Sequence, residues 1–184
     1  SIDGSHTDAN VQSSGSIGGI GGLVGSNYGF IENSHAAGSV IGISQVGGLV
    51  GRNANAISQS YATASVSGTS SIGGLAGKNF GNGDISQSYA SGAVTGSDNV
   101  GGLVGHNQGE ISASYALGSV AANSLVGGLV GYNDGGTITQ TYATGSVAGN
   151  SFVGGLVGLN DNGVVSASFW DIDTTLQIVA IGVN

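Results

Sequence analysis

The 184-residue chain is predicted to fold as an all-β parallel β-solenoid (β-helix) of about six coils, each 26–28 residues long. Three observations carry that prediction. A Gly-Gly-Leu triplet begins at Gly21, Gly47, Gly73, Gly101, Gly127 and Gly154, giving periods of 26, 26, 28, 26 and 27 residues. Repeats of that size mark stacked architectures. The composition holds 38 Gly, no Pro, Cys or Met, and only 7% charged residues, where an average domain has roughly 25%. No segment keeps a 3.6-residue apolar period for three turns, so helices are not expected; short apolar or alternating runs bounded by Gly and Asn recur instead, as strands joined by tight turns do. With 39% hydrophobic residues the chain is not disordered in type, and it lacks the Pro and the strict Gly period of collagen.

The unit reads G-G-L-V-G-x-N-x-G-x-I-x-x-S-Y-A-x-G-x-V-x-G-x-x-x-V. Its Gly pair permits a tight bend with positive φ or a close backbone approach. Leu23, Leu49, Leu75, Leu103, Leu129 and Leu156 then form an apolar column. Asn27, Asn53, Asn79, Asn107, Asn133 and Asn160 come next as a polar ladder; Asn tolerates left-handed backbone, and stacked amides can hydrogen-bond from coil to coil. All length variation lies between this Asn and the next Ile: four steps from Asn27 to Ile31, six from Asn79 to Ile85, five from Asn133 to Ile138. That place is read as a turn. Ile31, Ile57, Ile85, Ile111, Ile138 and Val165 form the next column, and Ser34, Ser60, Ser88, Ser114, Thr141 and Ser168 a hydroxyl ladder suited to a corner. An aromatic column runs His35, Tyr61, Tyr89, Tyr115, Tyr142, Phe169. Two apolar columns close the unit, Val40/Val66/Val94/Val120/Val147 and Val46/Ile72/Val100/Val126/Val153.

One unit cannot fold alone. Ordering its backbone costs on the order of 1–2 kcal/mol per residue, while about five buried apolar side chains return roughly 1.5–3 kcal/mol each. Stacked neighbours must supply the rest. At roughly 4.8 Å per coil, six coils make a rod about 30 Å long. Residues 1–20 read as an N-terminal half-coil or cap, irregular and polar apart from Ser5 to Val11, which aligns with Ser34 to Val40. Residues 21–168 hold the six repeats, and 169–184 a C-terminal cap or junction strand. There the β-prone run Leu176 to Ile181 either caps the final coil or docks on an adjoining domain or subunit, and is an aggregation hazard if left uncovered.

The formal charge is −8, with Arg52 and Lys78 the only strong bases, read as scattered. Neither nucleic acid nor an anionic membrane surface is an expected partner, because both demand clustered cations. No apolar run approaches the roughly 20 residues of a spanning helix, so no membrane insertion is expected. No signal peptide is visible, so in an exported protein the targeting segment would lie outside this chain.

The unit G-G-L-V-G-x-N-x-G-x-I-x-x-S-Y-A, covering about residues 21–170, resembles the GLUG repeat of large bacterial surface proteins. These include filamentous-haemagglutinin-like adhesins and the repeat regions of IgA metallopeptidases. The third copy departs, with Ala76 in place of Val and a two-residue insertion. The resemblance implies an exported, cell-surface or matrix-associated segment, with neighbouring domains or subunits of the same protein as partners. It implies no catalytic residue.

The remaining chemistry is sparse. Gly-Gly-Leu-Val-Gly lacks the Lys-Ser/Thr of a phosphate-binding loop and reads as a turn. His6 and His35 begin the aromatic column, and His106 takes an outward slot shared with Ser26, Arg52, Lys78, Tyr132 and Leu159. Asp134 and Asp161 occupy equivalent positions in adjacent copies, a candidate Ca²⁺ pair, with Asp171 and Asp173 a weaker one. No other cofactor is expected. No cluster of carboxylates or bases breaks the repeat as an enzymatic β-helix would require. The expectation is a non-catalytic stalk of a secreted or cell-surface bacterial protein. The alternative is a face that binds carbohydrate, or ice through ranks such as Ala37/Thr63/Ser91/Leu117/Thr144 and Ser39/Ser65/Ala93/Ser119/Ser146.

Overall fold

A computed structural model describes residues 1–15 and 18–182. Among these, short parallel strands stack into four sheets that run the length of a β-solenoid of about six turns. Within one coil the chain passes through each sheet once, as in the second: Ile31–Glu32 in sheet 1, His35–Ile41 in sheet 2, Ser44–Gly47 in sheet 3 and Val50–Asn53 in sheet 4. Each strand pairs in parallel with its equivalent one period away: Ile57 with Ile85, Tyr61 with Tyr89, Ile72 with Val100, Asn79 with Asn107. The Ile, Val, aromatic and Asn columns inferred from the repeat are therefore physical columns of register partners, and the Leu column, between strands, is joined coil to coil by Leu N–H to Leu carbonyl bonds.

Alternation along each strand decides what faces inward, since successive side chains of a strand point to opposite faces. Along Tyr61–Ser67, Ala62, Ala64 and Val66 are buried while Thr63 and Ser65 are exposed. The inward ranks form two parallel apolar cores. The larger contains the Leu and Ile columns, the Ala column through Ala62 and Ala90, and the column Val50, Ala76, Val104, Val130. The smaller contains the two Val columns. Between them sheets 3 and 4 press together, and only Gly fits the contact: a Cβ on Gly77 would overlap the backbone of Gln45 and Val46, and one on Gly105 that of Ser71 and Ile72.

The Gly pairs also serve close approach, since a Cβ on Gly47 would overlap the Val50 carbonyl and one on Gly48 that of Gly74, and the positive-φ corners lie elsewhere. Two columns of non-glycine residues are left-handed: Asn33, Gln59, Gln87, Ala113, Gln140 and Ala167 before the hydroxyl ladder, and Gln45, Ser71, Asn99, Leu125 and Phe152 in sheet 3. The ladder Asn residues are not among them; Asn27, Asn53, Asn79 and Asn107 end sheet 4 strands, and Asn133 and Asn160 stand one residue before the end of theirs. Left-handed geometry costs an L-residue roughly 1–2 kcal/mol, so the stack on either side must enforce it.

Both ends extend the array. The N-terminal segment is not irregular in its described part: Ile2–Asp3 pairs with Ile31–Glu32 and His6–Gln12 with His35–Ile41. Ile2 packs on the larger core and Val11 on the smaller, which fixes the register. At the other end Phe169–Trp170 pairs with Tyr142–Ala143, and one helical turn comes next at Ile172–Thr175, capped by the Asp171 carboxylate. The run from Leu176 then caps the final coil. Gly155, Leu156 and Val157 donate to the carbonyls of Val179 and Ala180, and Val157 bridges Ile181. Ile178 to Gly182 thereby stand as one more Gly-Gly-Leu-Val-Gly rung without its Gly pair. Trp170, in the place held by Ala in every rung from Ala36 to Ala143, covers Gly155 and donates from Nε1 to the Gln177 carbonyl at 2.9 Å. Leu176 and Ile178 remain exposed.

Candidate functional site

Four axial columns carry side-chain chemistry, and two of them, the Asn and hydroxyl ladders, are occupied by holding the rod together. In the Asn ladder each Nδ2 donates to the Oδ1 one coil on, at 2.8 Å from Asn27 to Asn53 and Asn53 to Asn79, 2.9 Å to Asn107, 2.8 Å to Asn133 and 2.6 Å to Asn160. The second Nδ2 proton reaches a carbonyl of the variable turn, as in Asn107 to Gly109 at 3.1 Å and Asn133 to Gly136 at 2.9 Å. Asn53, Asn79, Asn107 and Asn133 are fully buried. In the hydroxyl ladder each Ser Oγ accepts the backbone N–H of the preceding coil and donates to the carbonyl two residues back, as Ser88 does to Ser86 at 2.7 Å. Thr141 differs by donating its hydroxyl to Ser168 Oγ at 2.9 Å.

The aromatic column forms a stack of rings. His35, Tyr61, Tyr89, Tyr115 and Tyr142 lie 4.7–4.9 Å apart at interplanar angles of 5° or less, and His6 adds a ring at 5.2 Å. Rings this nearly parallel cover one another's faces and leave edges and hydroxyls outward. Burial, then the neighbouring Tyr61 and Tyr115, raise the Tyr89 phenol above its ordinary pKa; Tyr142 shifts the same way through burial and Tyr115.

The fourth column is the outward slot of sheet 4: Ser26, Arg52, Lys78, His106, Tyr132, Leu159. It is half-buried throughout rather than fully solvent-facing, because the left-handed residues of sheet 3 stand beside it. Gln45 Oε1 accepts from Arg52 Nε, and Lys78 Nζ lies 4.8 Å from the Phe80 ring centroid. The two strong bases are not scattered. They are 26 residues apart in sequence and direct partners in the sheet, with His106 the next partner along.

Asp134 and Asp161 are also direct partners, and each carboxylate has neighbours of its own. Asp134 Oδ2 accepts from Gln108 Nε2 at 2.7 Å and meets His106 Nε2 at 3.3 Å. An ionised carboxylate only accepts, so Nε2 carries the proton. Tyr132 donates to Asp161 at 3.4 Å and Asn162 at 2.7 Å. The Gln108 bond, and after it His106, hold the Asp134 carboxyl below its usual range against the opposing effect of burial. His106 is lowered by burial first and then by Lys78, against the pull of Asp134. The two shifts describe one contact, a neutral imidazole donating to an anion. Asp171 caps the helical turn and accepts from the Asp173 N–H at 3.0 Å. Among the described residues no three His, Asp or Glu side chains converge as a metal-ion cage, and no helix is long and apolar enough to cross a membrane.

Comparison with family models finds the GLUG motif five times, at residues 13–41, 42–67, 68–95, 96–121 and 122–148, more than half of the chain. The chain belongs to the GLUG-motif family. The sixth unit, around Gly154, lies beyond the last match. Neither the curated proteins nor the solved structures searched hold a match to this GLUG array.

Proposed function

We propose that this GLUG array is a non-catalytic structural segment of a secreted or cell-surface bacterial protein of the adhesin type, a stiff rod that holds neighbouring domains or subunits apart. The observation that carries the reading is the continuity of the internal columns. The Asn ladder runs from Asn27 to Asn160 with an amide-to-amide hydrogen bond at every step, so each coil is locked to the next. The surface adhesin context comes from the family resemblance. A neutral glycan stacked on the tyrosines is disfavoured, since their faces are covered.

In a rod of this kind length is modular. Removing Gly101 through Val153 joins Val100 to Gly154 in register, because Val100, Val126 and Val153 share a column. The shortened protein should fold cooperatively and lose about 10 Å of length in small-angle scattering, two rungs at roughly 4.8 Å. Failure to fold, or an unchanged length, would reject the rod. Surface labelling of the producing cells that leaves the protein unmarked would reject the location. Turnover of a glycan or peptide substrate, abolished by one substitution, would reject the non-catalytic reading.

A further inference from the structure

The only two strong bases of a chain with formal charge −8 sit side by side on adjacent rungs. Like charges placed directly opposite on neighbouring strands repel, so the pair costs stability unless something anionic relieves it. Among the described residues no carboxylate forms an ion pair with either base, and Asp134 offsets the repulsion at Lys78 only from a distance. Asp134, the carboxylate that bears on Lys78, stands two rungs away and is already held by Gln108 and His106. The neighbourhood is also shaped. Gln45 holds the Arg52 guanidinium by its Nε, and among the described residues no side chain or carbonyl accepts from its terminal N–H groups. Phe80 supports the Lys78 ammonium. One rung further, at the place Gln45 holds beside Arg52, Asn99 keeps a buried amide oxygen without a partner. Beyond His106 the slot turns apolar at Tyr132 and Leu159, with Leu125 and Phe152 in the adjacent sheet 3 column.

We propose that the stripe Arg52–Lys78–His106, continued by Tyr132, is a binding site for a linear acidic polysaccharide lying along the rod axis, with one anionic group per rung over Arg52 and Lys78. The rungs repeat every 4.7–4.9 Å, as the ring stack measures, a step comparable in size to one pyranose unit. A guanidinium fork suits carboxylate or sulfate, the side-chain amides suit hydroxyls, and Tyr132 with Leu159 offers a surface to the C–H face of a sugar. Three cationic or protonatable groups in single file are too few for nucleic acid, whose affinity rests on many phosphate contacts. They are also half-buried, so a slender polymer reaches them more readily than a flat partner. This goes beyond the rod reading and stands or falls separately from it.

The test uses the whole chain and polygalacturonate, measured by titration calorimetry at low salt, with dextran as neutral control and polyglutamate as an anionic polymer without sugar. The variant Arg52→Ser with Lys78→Ser is built from the repeat's own choice, since Ser26 fills the same slot one rung earlier. Its melting curve reports whether the fold is kept. The swap Arg52→Lys with Lys78→Arg keeps the charge. Polygalacturonate should bind the wild type and the swap, at least about tenfold more weakly to the serine variant, as expected for charge-assisted bonds lost. Dextran should not bind, and raising salt should weaken the polygalacturonate complex. Absence of polygalacturonate binding, equal binding by a folded serine variant, or equal binding of polyglutamate would each overturn the proposal. So would stripe-dependent self-association in sedimentation, which would make the occupant a second copy reached through the exposed partners Asp84 and Glu110.

Discussion

Replacing Asn107 by Ala should cost the rod more than any single outward substitution. Asn107 is fully buried and makes three hydrogen bonds: it accepts from Asn79 at 2.9 Å and donates to Asn133 at 2.8 Å and to Gly109 at 3.1 Å. Truncation leaves Asn133 Oδ1 and the Gly109 carbonyl without that donor, whereas Asn79 Nδ2 keeps the carbonyls of Gly83 and Glu110. The Gly109 carbonyl keeps the Thr137 N–H at 2.9 Å, so one orphaned buried acceptor at about 1–3 kcal/mol, with about 1 kcal/mol for the lost Asn79 bond, gives an expected loss of about 2–4 kcal/mol. The same change at Asn27, the first member, breaks one step of the ladder rather than two; it too leaves a buried acceptor, Asn53 Oδ1, without its donor, and should cost less, about 1–3 kcal/mol. Urea unfolding followed by far-ultraviolet circular dichroism measures both, with Ser119→Ala on the exposed face as reference. If Asn107→Ala shifted the midpoint no further than Ser119→Ala, the ladder would be an ornament of register rather than its lock.

Gly105→Ala forces a Cβ into the backbone of Ser71 and Ile72 and should destabilise by more than about 3 kcal/mol or prevent folding, as soluble yield and the urea midpoint will show; an unchanged midpoint would mean that sheets 3 and 4 can part. Trp170→Ala removes the cover of Gly155 and the bond to Gln177. Because solenoid coils contact only their neighbours, amide exchange should accelerate at Gly155, Leu156 and Val157 and stay unchanged at Leu103. The tyrosine stack predicts weakness in alkali. Tyr89 and Tyr142 have raised folded pKa values, so the native state holds protons that the unfolded chain releases, and stability falls as pH rises from about 10 through the folded values. Tyr89→Phe should flatten that loss in the urea midpoint measured against pH. Acid acts on His106 and Asp134, both lowered: the unfolded state binds more protons, so stability falls as pH drops below about 6.5 and again through the carboxylate range. His106→Gln should remove the first step of that profile.

Most of the fold was legible because a repeat tests itself. Ile85 or Val100 alone says little, but the same residue type six times at a fixed spacing admits few structures, and parallel register is a direct consequence. The left-handed columns were hidden, since Gln59, Ala113 and Phe152 belong to no common turn vocabulary. Their conformation is imposed by the coils above and below, not by their own side chains. The final rung was hidden for a related reason. In interior rungs the second Gly of the pair is required because a Cβ there would overlap the next coil, as Gly48 would overlap Gly74. Val179 takes that place where no described coil lies beyond it, so the signature disappears although the geometry continues. The basic stripe was present in the sequence as a column, yet distance along the chain made two neighbouring cations look isolated.

That separation governs how function can arise in such a molecule. Stacking fixes the inward ranks, the two polar ladders and the Gly contacts, so these positions have little freedom to change. The outward slot of sheet 4 changes along the axis from Ser26 through Arg52, Lys78 and His106 to Tyr132 and Leu159 without disturbing the register of its strands. Residues 26–28 positions apart become neighbours across one rung there. Recognition by this rod therefore has to be read down a column rather than along the chain. The column whose chemistry varies most while its backbone varies least is the one with Arg52 and Lys78 at its centre.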